Sequence, residues 1–149
     1  MLTLEIIDEK WAPRELEAQL RRFDGQAAYA GLFDPEQATK GFRHEVGEGV
    51  PERPWLAPSA DAETEQALRV AALEIGDSLE GDQSPEDALE IVGEVFEDGA
   101  RYYVEAGRVG GPPLSAQAKR NDPRKLIDTG DMIAALETRV AKSIPGEDA

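Results

Sequence analysis

The chain contains no cysteine, which excludes disulfides, zinc–thiolate centres and thiol catalysis. Its single histidine, His44, cannot supply the paired imidazoles of most zinc sites. Aromatic residues are only 6% of the total, so a core built mainly from Leu, Ile, Val and Ala is expected. No apolar run approaches the ~20 residues needed to cross a bilayer, and no membrane partner is expected. Residues 1–8 lack the basic region and long apolar run of a signal peptide. Cations are also scarce, 16 Lys and Arg against 31 Asp and Glu, for a net charge of −15. A field of that sign repels nucleic acid rather than binding it.

The charge is unevenly placed. Residues 57–106 carry 14 acidic and two basic side chains, Arg69 and Arg101. The segment 107–125 reverses this, with Arg108, Lys119, Arg120, Arg124 and Lys125 against Asp122 alone. One reading is a solvated acidic surface. The other is self-complementarity, with the basic segment of one copy meeting the acidic face of the next.

At 149 residues the chain suits one domain with a modest core, assigned to 1–142, followed by a disordered tail at 143–149. Residues 2–7 alternate, with Leu2, Leu4 and Ile6 on one face, and predict a strand. Pro13 suits the first turn of a helix running to about residue 23, which Asp24-Gly25 ends. Residues 27–33 predict a second strand. Asp34-Pro35-Glu36-Gln37 is a helix start, with Asp34 capping and Gln37 able to reach back; that helix should stop at Gly47. Thr39, Phe42 and Val46 share one of its faces. Three prolines keep residues 47–58 extended. Two long helices follow. The first begins near Ser59, with a stripe of Leu68, Ala71, Ala72, Ile75 and Leu79. The second is capped by Ser84, with a stripe of Leu89, Val92, Phe96, Ala100 and Tyr103. They should form an antiparallel hairpin whose stripes lie on the sheet. A long basic loop spans 107–125, a length that tends to mark functional or mobile segments. Residues 136–140 alternate and predict a third strand. Together these features predict an α+β fold: a small mixed or antiparallel sheet of three to four strands, packed against a helical hairpin and shorter helices, with long extended loops.

Catalytic motifs are sparse. No Gly-x-Ser-x-Gly elbow accompanies His44. Asp61 and Glu65, or Glu90, Glu94 and Glu97, have spacings that could hold a divalent cation, and also the spacings of a solvent face. Gly107-Arg108-Val109-Gly110-Gly111 lacks the Gly-Lys-Ser/Thr ending of a phosphate loop. Asp128-Thr129-Gly130 matches the aspartic-protease triplet in letters, without its flanking apolar strand or a second aspartate loop. A small hydrolase using Asp128 or the helical carboxylates is the alternative function. No cofactor and no metal are expected.

Three separated patches have a common pattern. The first runs from Gly31 through Asp34-Pro35-Glu36 to His44-Glu45-Val46-Gly47. The second is Pro51-Glu52-Arg53-Pro54-Trp55-Leu56. The third is Pro113-Leu114-Ser115 leading to Leu126-Ile127-Asp128-Thr129-Gly130 and the last strand. In order and spacing they resemble the bacteriophage tail completion and neck proteins of the virion morphogenesis family. Val46 stands where that family has an aromatic residue. The resemblance implies a non-enzymatic virion protein that forms a ring, expected to be hexameric, at the head–tail junction or tail end. It implies portal, head-completion or tail-tube proteins as partners, with DNA passing through the ring without specific binding. Pro51, Arg53, Pro54, Trp55 and Leu56, with Leu126, Ile127, Asp128, Thr129 and Gly130, would then be structural motifs. Arg108, Lys119, Arg120, Arg124 and Lys125 would form the subunit interface.

Overall fold

The computed structural model describes residues 13–116, 119, 124–127, 130–143 and 145. Its elements are α1 (Pro13–Arg21), β1 (Ala27–Leu32), α2 (Pro35–Val46), α3 (Leu56–Leu79), α4 (Pro85–Glu105), α5 (Asp131–Ala134) and β2 (Leu136–Ala141). Local chemistry explains several boundaries. The Asp34 carboxylate accepts the Gln37 N–H at 3.0 Å, and Pro35 occupies the first helical turn of α2. Gly47 ends that helix in the left-handed region, its N–H donating to the Arg43 carbonyl. Ser84 and Pro85 do for α4 what Asp34 and Pro35 do for α2, with the Ser84 hydroxyl accepting from Asp87 N–H at 3.1 Å.

The helical hairpin is present as α3 and α4, joined by residues 80–84. Its packing differs from the expected stripes. On α3 the buried residues are Ser59, Ala67, Ala71, Ser78 and Leu79, whereas Leu68 and Leu73 are 44% and 69% exposed. On α4 the deepest positions are Ala88, Gly93, Gly99, Ala100 and Val104, with Leu89, Val92, Phe96 and Tyr103 half-buried. The cause is close approach: small side chains along the seam let the helices draw together, so alanine and glycine face inward. Glu63 of α3 lies where a Cβ on Gly99 would sit.

The sheet requires correction. Among the described residues it holds two strands, not three to four, in a chain that is predominantly helical. β1 and β2 pair antiparallel, from Ala27 opposite Ala141 to Leu32 opposite Leu136. The strand expected at 2–7 lies outside the described residues. A two-stranded ribbon is marginal alone and needs a covering helix. One helix about 10 Å wide covers two strands spaced about 4.8 Å apart. Here α4 is that helix: it packs against both strands, and Gly93 admits the Thr138 methyl group and the Ala28 Cβ to its backbone. The Arg101 guanidinium adds a hydrogen bond to the Leu136 carbonyl at 3.3 Å while pairing with Glu97 and Asp98. The expected placement of both stripes on the sheet is therefore replaced by a layered order, with α4 packed against α3 and against the ribbon.

The core lies toward the C-terminal end of α4. Trp55, Ala100, Val104, Val109, Met132, Ile133 and Leu136 form it, with Leu32, Tyr103, Leu126 and Ile127 packed around them. α2 closes this region by packing on β1 and α5.

Candidate functional site

The three sequence patches meet at one joint beside this core. Its first part is the C-terminal end of α2. Gly41 has no side chain, which leaves room for Trp55; a Cβ there would come within 2.6 Å of Leu32 Cδ1 and 3.0 Å of Trp55 Cζ2. The Trp55 ring is 1% exposed, and its Nε1–H donates to the Gly41 carbonyl at 3.1 Å. Burial of so large a ring supplies much of the joint's stability, and its one polar atom is satisfied.

Glu45 solves a second problem. α3 begins at Leu56 without a side-chain cap on Trp55 and without an acidic residue in its first turn. Its first N–H groups instead donate to the Glu45 carboxylate, Trp55 and Leu56 to Oε2 at 2.7 and 2.9 Å and Ala57 to Oε1 at 3.0 Å. An anion at a helix N-terminus satisfies orphan donors and complements the helix dipole. This remote cap starts α3 three residues before the expected Ser59, whose buried hydroxyl donates to the Leu56 carbonyl instead.

Arg53 links the connector to the loop after α4. Its backbone N–H donates to the His44 carbonyl at 2.8 Å. Its buried guanidinium donates from Nε to the Pro112 carbonyl at 3.2 Å and from Nη2 to the Pro113 carbonyl at 3.3 Å. Lys125 braces the same loop, with Nζ donating to Gly111 and Gly110 carbonyls at 2.8 and 3.3 Å. Gly111, at φ +84°, lies so close to the Glu52 carbonyl that a Cβ would come within 2.5 Å of it. The neighbouring Leu126 has φ +67°, a strained value for a residue with a branched side chain, and packs against the core together with Ile127.

Of the predicted motif residues, Arg53 and Trp55 are buried, Pro54, Leu126, Ile127 and Gly130 are half-buried, and Pro51 and Leu56 are exposed. Gly130 precedes α5 at φ +86°. Asp128 and Thr129 lie outside the described residues, as does Arg120. Among the predicted interface cations, Arg108 is exposed and lies 5.0 Å from the Tyr102 ring centroid. Lys119 is exposed, and Arg124 is exposed with a 3.5 Å hydrogen bond to the Glu105 carbonyl. Lys125 is half-buried and bonds the Gly110 and Gly111 carbonyls.

His44 is half-buried at this joint. Its Nδ1 is buried and has no hydrogen-bond partner among the described residues. Burial first, and the Arg53 charge second, hold its pKa below 6.5. The helical carboxylates stand apart from this centre. Glu65 pairs with Arg69 and Glu97 with Arg101, while Asp61, Glu90 and Glu94 are exposed. Among the described residues no group of three His, Cys, Asp or Glu side chains is arranged to hold a metal ion.

Glu45, Gly41 and Gly111 are the joint residues that sequence reasoning did not assign a role. The sequence carried no local signal for Glu45, because α3 was expected to begin near Ser59 and its start at Leu56, with no side-chain cap at Trp55, is set by the fold. Comparison with protein-family models, curated proteins and solved structures finds no match to this chain.

Proposed function

We propose that the protein is a structural component of a phage virion, completing the tail or joining head to tail as a ring of identical subunits. The observation that carries this reading is the convergence of the three family-like patches on one joint. Trp55 of the second patch bonds Gly41 within the first, and Arg53 of the second patch, with Lys125 beside the third, holds the 110–113 loop. A rigid joint presenting a loop is what a subunit needs if that loop is to meet a neighbour. The exposed cations Arg108, Lys119 and Arg124 follow or adjoin it and would engage the acidic surface of the next subunit or a portal, head-completion or tail-tube protein. The chain's net charge of −15 would let DNA move through the ring without adhering to its wall. The test is electron microscopy and mass determination of purified particles, with the protein localised by a tag. Rings at the head–tail junction or tail end are expected. Absence of the protein from purified particles would overturn the reading.

A further inference from the structure

The 110–113 segment is held by polar contacts alone. Gly110, Gly111, Pro112 and Pro113 are all exposed, so they add little apolar burial to the core. Each of their four consecutive carbonyls accepts from a cation, Gly110 and Gly111 from Lys125, Pro112 and Pro113 from Arg53. Three of these bonds are 3.2 or 3.3 Å long, beyond the usual length of about 2.9–3.0 Å, and only the Gly111 bond is as short as 2.8 Å. A segment seated this way belongs to the low end of local stability.

The two cations differ from others in the chain. Arg21, Lys40, Arg69, Arg101 and Arg139 each pair with a carboxylate of their own helix or strand. Among the described residues Arg53 and Lys125 pair with none, although the chain has 31 acidic side chains. A full negative charge attracts a cation more strongly than a carbonyl dipole does, and a carboxylate can take a guanidinium through two parallel bonds. Beside Lys125, Leu126 has φ +67°, a strained backbone that persists only while its surroundings impose it.

We propose that residues 110–113 are a releasable strap. Arg53 and Lys125 are its catch, and a carboxylate-bearing partner opens it by drawing these cations off the loop carbonyls. Lys125, half-buried where Arg53 is buried, is reached first. Opening exchanges cation–carbonyl bonds for ion pairs, lets Leu126 relax and releases the two proline rings. The joint beneath stays closed, because burial and Gly41 hold Trp55, and Glu45 holds the start of α3, without the strap. The partner is acidic because the groups it meets are the cations left without carboxylates. This inference goes beyond the ring reading and does not depend on it.

The absence of cysteine allows two spin labels to be placed cleanly on the full-length chain. A62C on α3 and A116C just beyond the strap are both at exposed positions. Pulsed electron paramagnetic resonance reads the distance between them, and circular dichroism checks the fold. Sodium succinate is the carboxylate probe, compared with sodium chloride at matched ionic strength. In chloride one dominant distance is expected, and succinate should add a second. Lys125→Gln should enlarge that second population about tenfold in chloride alone, the equivalent of one lost charge-assisted hydrogen bond. Lys125→Arg, which keeps the cation, should restore the single distance. The same single distance in succinate, in chloride and in Lys125→Gln would overturn the strap and make the two cations a permanent staple. An equal response to succinate and chloride would overturn the carboxylate trigger. A second distance seen only with loss of helical signal would overturn the proposal too, because the whole chain would then be unfolding.

Discussion

Glu45 shows how one carboxylate can set the start of a helix distant in sequence. Its two oxygens accept three consecutive backbone N–H groups across a connector of about ten residues. Glu45→Gln keeps the shape but turns an NH2 group toward one of those donors. Chemical denaturation should show a loss of about 1–2 kcal/mol, the range for losing a helix cap or leaving a buried donor unpaired. An unchanged midpoint would mean that water replaces the cap. His44 gives a second prediction at this scale. Its folded pKa lies below 6.5 because of burial and Arg53, so the unfolded chain binds the proton more readily. Stability is therefore complete above about pH 6.5, falls as pH drops toward the folded pKa, and levels off below it. Urea titrations between pH 7.5 and 5 (a window above the range where carboxylates titrate, about 4) should show this decline, and His44→Gln should flatten it. Glu86, whose carboxyl is held below 4.5 chiefly by the Gln26 side chain, acts in the opposite acid range, losing its contribution only as pH falls through its folded pKa.

At the scale of elements, the sequence was most legible where the determinants are local. Asp34-Pro35, Ser84-Pro85 and Gly47 each act within one turn of the boundary they mark, and those boundaries are where they were expected. Faces were less legible, because they depend on partners far along the chain. Phe42 and Val46 look like a core stripe, yet Gly41 faces inward because Trp55, 14 residues later, occupies the space beside it. Leu68 looks inward on α3, yet Ala67 and Ala71 are the buried positions and Leu68 is exposed. Strand count was illegible for the same reason, since a period of two gives no partner. The joint was visible as three separate patches, but only folding brings Arg53 to Pro112 and Pro113. The ribbon's seat on α4 supplies a test. Gly93→Ala would push its Cβ against the Thr138 methyl group and Ala28. Overpacking costs about 1–3 kcal/mol, partly offset by alanine's helix preference of about 1 kcal/mol over glycine. Thr138→Ser removes the clashing methyl group, so the double variant should recover part of the loss. Additive effects in this cycle would show that Gly93 does not set the ribbon's distance.

For the whole molecule, electrostatics should act in opposite directions on folding and on association. Glu86, Glu90, Glu94 and Asp98 follow one another at four-residue intervals along α4, all exposed. Like charges at that spacing oppose the helix, and a net charge of −15 opposes compaction generally. Salt screens both, so the thermal midpoint should rise as sodium chloride increases from about 0.05 to 0.5 M, a change that shortens the Debye length well below 10 Å. Glu90→Lys should raise the midpoint at low salt by replacing two repulsions with attractions, with the gain shrinking as salt increases. Contacts between subunits should respond in reverse. In the proposed ring, Arg108 facing acidic side chains of a neighbouring copy would attract across the interface and weaken under the same screening. Measuring thermal midpoint and sedimentation on one set of salt concentrations separates the two effects. A midpoint that rises while assembly falls indicates contacts directed by charge. Assembly that strengthens with salt would assign the association to apolar contacts, with the charges acting only in register.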